Sequence, residues 1–141
     1  MNGNGPTRPG AVLLLETGFA MILASIVIRM FPLARLRRMM VPRRPCPHEA
    51  APEVMIATLR RAIEAWSRRL PWRTMCFEQG LTAHWLLRRR GFVSTLSYGA
   101  VQEAGELKAH VWVRSGSHDV IGCEIADQYV ALSHFSTGSS S

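Results

Sequence analysis

The chain has 141 residues and a formal net charge of +7, set far more by arginine than by lysine. That length holds one ordinary core and excludes two comfortable domains. The charge implies an acidic partner without choosing among nucleic acid, anionic lipid and acidic peptide, because runs such as Arg35-Leu-Arg-Arg38, Arg60-Arg61 and Arg88-Arg89-Arg90 also serve as solvated helix faces. The three cysteines, Cys46, Cys76 and Cys123, leave at least one unpaired and show no C-x-x-C spacing, so neither a disulfide framework nor a zinc ribbon is indicated and a reducing cytoplasm is the simpler home. Cys46 and His48 lack the second ligand pair that a structural zinc needs, and no metal is expected.

In chain order, Met1 to Gly10 is rich in Gly and Pro and reads as a mobile tail. Ala11 to Met30 is the most apolar segment and approaches the ~20 residues of a membrane-spanning helix. Glu16 and Arg29 argue against a span, since a soluble helix can turn a charge outward. A docked soluble helix is favoured, with contact between residues 11–38 and a membrane surface kept open by the basic cluster that follows. Phe31-Pro32 interrupts this helix, and the prolines between Val41 and Pro52 favour an extended connector, so residues 11–52 form an N-terminal section and 53–135 the core.

Glu53 to Leu70 carries apolar residues at mixed helical spacing and ends at Leu70-Pro71. A second core helix begins near Thr74 or Met75, with Thr74 as its candidate N-cap, and stops at Gly91 after the basic Arg88 to Arg90. Cys76 falls in its first turn, where unpaired N–H groups and the helix dipole favour a thiolate. Cys76, Gly80, Ala83 and Leu87 form one stripe whose small members allow close packing on a sheet. His84 is expected to be structural or at the surface.

After Gly91 the pattern turns extended. Phe92 to Val101 is a strand, Glu103-Ala-Gly-Glu106 a turn, and Leu107 to Arg114 a second strand with Ala109, Val111 and Val113 on one face and His110, Trp112 and Arg114 on the other. Ser115-Gly-Ser117 turns the chain again, and Val120 to Ile125 and Gln128 to Leu132 are the last strands. Ser136 to Ser141 is a Ser/Gly tail of the kind left by expression vectors. The predicted fold class is α+β, a nucleophile-bearing helix packed on a small antiparallel sheet. A cysteine nucleophile needs a base that takes its proton, and Cys76 with His110 fits a helix end brought to a strand.

These residues resemble the lasso-peptide leader peptidases, which have a transglutaminase-like, papain-related cysteine protease fold. The likeness rests on Cys76 followed by Gly80, Leu81, Trp85-Leu-Leu-Arg-Arg89 and Gly91, then on Ala109-His110-Val111-Trp112-Val113. Val120-Ile-Gly122 and Tyr129-Val-Ala-Leu132 look like the closing strands, and the apolar start ending in Phe31-Pro32-Leu33 looks like the stand-alone form. The resemblance implies a cytoplasmic endopeptidase that cuts a ribosomally made precursor at its leader/core junction, with Cys76 as nucleophile and His110 as acid and base. It further implies a separate leader-binding protein, for which this chain lacks room, and a separate ATP-dependent cyclase. No phosphate loop is present, and neither a cofactor nor nucleic acid is expected.

The family's third catalytic residue is an aspartate about a dozen residues after the histidine, where this chain reads Ile121-Gly122-Cys123. With a loop at Gly116-Ser117, Asp119 shares the face of His110 but lies roughly 13 Å along the strand. A one-residue bulge would turn Glu124 toward the histidine instead. Asp119 is named first and Glu124 as its competitor, with an acid-free dyad also open. The Cys76 backbone N–H is the expected oxyanion donor, and Gln79 lies downstream on the helix. Two other function classes use the same features: a transglutaminase-like acyl transferase acting through the same pair, and a non-enzymatic basic scaffold that docks a cyclase or a membrane.

Overall fold

The computed structural model describes residues 10–31, 35, 50–70 and 76–136. The two predicted tails apart from Gly10, which caps α1, and Ser136, which ends β4 rather than starting a tail, lie outside these residues, as do most of the Pro-rich connector, Cys46, His48 and the Thr74 cap. Three helices, α1 (Ala11–Met30), α2 (Glu53–Arg69) and α3 (Cys76–Arg89), precede four strands, β1 (Thr95–Glu103), β2 (Glu106–Ser115), β3 (His118–Ile121) and β4 (Val130–Ser136). The strands form one antiparallel sheet in the order β3-β2-β1-β4.

The helices end as local chemistry requires. Gly91 adopts φ +80°, its N–H reaches Arg88 O at 3.0 Å, and Phe92 N–H reaches Leu87 O at 3.0 Å. This is the paired C-terminal closure in which a left-handed glycine satisfies the last carbonyls. α2 closes at Leu70, whose N–H donates to Trp66 O.

The core joins Met21 and Ala24 of α1, Ile56, Leu59 and Ile63 of α2, Leu81, Ala83 and Leu87 of α3, and Leu96, Val111, Val113 and Val120 of the sheet. Close approach depends on two glycines. A Cβ on Gly18 would lie 2.5 Å from the Trp66 ring, and one on Gly80 would lie 2.6 Å from Val111 Cγ1. Trp66 completes the first junction by donating Nε1–H to Leu14 O at 2.6 Å.

Glu16, expected to face solvent, instead turns toward the end of α3. Its carboxylate takes two hydrogen bonds from Arg90, at 2.7 and 3.0 Å, and lies 3.6 Å from Arg89. The Arg90 hydrogen bond, aided by the charges of both arginines, holds the Glu16 carboxyl below the usual range against an opposing effect of burial. Apart from the exposed Arg29, the outward face of α1 is apolar: Val12, Leu15, Phe19, Ile22, Leu23, Ile26 and Met30 are exposed.

The strand predicted from Val120 to Ile125 ends at Ile121. Gly122 takes a left-handed conformation, φ 76° and ψ 4°, and turns the chain into a 3₁₀ helix over Cys123–Gln128. The β2–β3 pairing also slips by one residue between Val113 and Arg114: Arg114 faces Asp119, while Val113 faces Ile121. Val120 is the extra residue of this bulge.

Candidate active site

Cys76 is the first described residue of α3 and is half-buried. One turn on, Gly80 lets the helix lie against Val111 and Val113 of β2. The stripe predicted for this helix is present, with Gly80, Ala83 and Leu87 buried; Glu78 and Thr82 are buried as well. His84 is the structural residue of the two alternatives, fully buried with Nδ1 2.7 Å from Ser94 Oγ.

His110 lies on β2 and is buried. Strand side chains alternate between faces, so His110 and Trp112 rise from the side opposite Val111 and Val113. There the imidazole stacks near Trp112, with centroids 6.1 Å apart, and meets Tyr129 at 5.1 Å. Its Nε2 donates a hydrogen bond to Gly122 O at 2.6 Å. Beside it on the same face, Ser97 Oγ and His134 Nδ1 are 2.6 Å apart. The helix that carries Cys76 thus packs on the Val111 and Val113 side of β2 while His110 rises from the other side, and no hydrogen bond joins thiol and ring among the described residues.

The acids are placed elsewhere. Asp119 Oδ1 accepts from Arg114 Nε at 2.9 Å. Its residue helps line a cleft of ≈ 250 Å³ with Glu53, Ile56, Ala57, Arg60 and His118. The bulge that would favour Glu124 is present, but β3 ends before reaching it, and Glu124 is exposed in the 3₁₀ helix. Cys123 donates Sγ–H to Val113 O at 3.3 Å. Burial pushes its thiol up, reinforced by the nearby Asp119 charge, so Cys123 stays protonated where an activated nucleophile would not. Among the described residues no three His, Cys, Asp or Glu side chains converge as a metal site would require.

The contact sequence reasoning missed is the one between His110 and Gly122. The available signal was a glycine inside an apparent strand, which marks a bulge or a close approach of backbone.

The family model of the transglutaminase-like superfamily matches residues 19–134, and the chain belongs to that superfamily. Its members include cysteine peptidases and acyl transferases, and the helix-plus-antiparallel-sheet architecture is consistent with that core. No curated protein and no solved structure matches the chain.

Proposed function

We propose that the chain is a cysteine endopeptidase that removes the leader from a ribosomally synthesised lasso-peptide precursor. The observation that carries the reading is that Cys76 lies on the helix packed on the strand of His110, one turn before Gly80, in a chain of the transglutaminase-like superfamily. The finer assignment rests on the resemblance of Ala109-His110-Val111-Trp112-Val113 and the Cys76 to Gly91 segment to the leader peptidases. Cys76 belongs to the helix that packs on the Val111 and Val113 side of β2 while His110 rises from the other side, so the reading requires precursor binding to bring thiol and imidazole together.

In the reaction, the Cys76 thiol proton passes to His110 and the sulfur attacks the scissile carbonyl carbon. The tetrahedral intermediate expels the amine of the core peptide, which takes the proton back from His110. Water then attacks the thioester, giving its proton to His110; the C–S bond breaks and the sulfur is reprotonated, releasing the leader carboxylate. The Cys76 backbone N–H serves the oxyanion. A separate leader-binding protein presents the precursor, and an ATP-dependent cyclase consumes the freed amine.

The test is cleavage of precursor peptide followed by mass, with and without the leader-binding partner. Parent protein should yield leader and core differing from the precursor by one water. Cys76→Ala and His110→Ala should each lower the rate by on the order of 10³-fold or more. Cleavage by Cys76→Ala at the parental rate would remove the nucleophile, whereas transfer of the leader acyl group to an added amine would identify the acyl-transferase chemistry.

The outward face of α1 extends this reading. Its only exposed charge is Arg29, Arg35 follows, and Arg37 and Arg38 continue the basic run in sequence. An apolar stripe ending in cations is complementary to an anionic lipid surface, and we propose such a surface as its partner.

A further inference from the structure

We propose that the main-chain carbonyl of Gly122 is the acceptor that orients His110, in the role a carboxylate fills elsewhere in the family; the catalytic meaning of this rests on the peptidase reading. Gly122 lies 12 residues after His110, and its oxygen is 2.6 Å from Nε2. A carbonyl oxygen can only accept, so Nε2 carries the ring proton and Nδ1 keeps the lone pair that takes the thiol proton.

The backbone at this point permits no simple exchange for aspartate. Gly122 has φ 76°, and a Cβ there would lie 2.5 Å from Val111 O and 3.3 Å from His110 Nε2. The position thus needs glycine for both conformation and space. Trp112 and Tyr129 flank the imidazole. The two candidate acids are turned to other uses: Asp119 is bonded to Arg114, and Glu124 is exposed beyond the turn. Gly122 is a positioning residue here. As a neutral acceptor it fixes tautomer and ring angle and supplies no full negative charge to the imidazolium.

The experiment is ¹⁵N NMR of histidine-labelled intact protein at alkaline pH, where imidazoles are neutral, with His110 assigned by its loss in His110→Gln. His110 should be protonated on Nε2 in the parent and equally in Asp119→Asn and Glu124→Gln, both of which should keep parental kcat. Gly122→Ala should lose the tautomer preference and, where it folds, lower kcat on the order of ten-fold or more with KM little changed. A parent protonated on Nδ1, or a tautomer that changes in Asp119→Asn or Glu124→Gln, overturns the assignment. Protonation on Nε2 in a protein that cuts no precursor would leave the assignment standing and sink the peptidase reading. A cleaving protein whose tautomer follows Asp119 would do the reverse.

Discussion

Glu16 shows how a single side chain reports a long-range packing decision. An acid in a run of apolar residues reads as a residue to be kept in solvent, yet its partner, Arg90, is 74 residues away and no local pattern announces it. The pairing has a pH signature. Because the folded carboxyl lies below its unfolded value, its stabilisation is present above the ordinary glutamate range near 4.3. It is lost as pH falls through the lower folded value. Glu16→Gln should therefore destabilise the protein at neutral pH by about 1–3 kcal/mol. It should also flatten the acid limb of stability in chemical denaturation between neutral pH and pH 3. An unaltered acid limb would show that the pair contributes no pH-dependent stability.

At the level of elements, most of the architecture was legible. Glu53–Arg69 is a helix within one residue of the predicted span, the Glu103 to Glu106 hairpin is where the turn residues place it, and Val111 and Val113 face the core as alternation requires. What was not legible is register. A bulge at Val120 and a left-handed turn at Gly122 each alter which residues stand beside His110, and both depend on pairing between strands rather than on the pattern within either one. The α3–β2 junction was anticipated from the small residue four positions after Cys76, because spacing on one helix face is fixed by the helix itself. Its tolerance is measurable. Gly80→Ala should cost about 1–3 kcal/mol in thermal or chemical denaturation through overpacking on Val111. Adding Val111→Ala should recover part of that loss, so that the double variant is less destabilised than the sum of the singles. Strict additivity would mean that the two residues do not press on each other.

For the whole molecule, α1 is the element whose two sides answer to different surroundings. Met21, Ala24 and Val27 complete a core built by the other elements, while Phe19, Ile26 and Met30 point away from it. The segment's composition passes as a membrane span, and only the fold reveals that one side is occupied. An interfacial helix should bind in proportion to its apolar area and to lipid charge. The intact protein should therefore sediment with phosphatidylglycerol vesicles and much less with phosphatidylcholine vesicles. Phe19→Ser with Ile26→Ser should release it without lowering the melting temperature by more than a few degrees. Equal sedimentation with both lipids, or none with either, would rule out an anionic surface. Self-association reduced by the same substitutions would assign the face to a second copy.

The bulge at Val120 also affects the rim of the sheet. β3 is an edge strand, where unpaired main-chain groups invite another chain to add itself. Arg60 of α2 reaches over this rim and donates Nε–H to Val120 O at 2.8 Å and a second guanidinium N–H to Asp119 O at 2.9 Å. In an even strand successive carbonyls point to opposite sides; here the irregular step brings two neighbouring acceptors to one guanidinium fork. The same distortion thus lets a single arginine occupy both acceptors, blunting that margin of the sheet against adventitious strand addition.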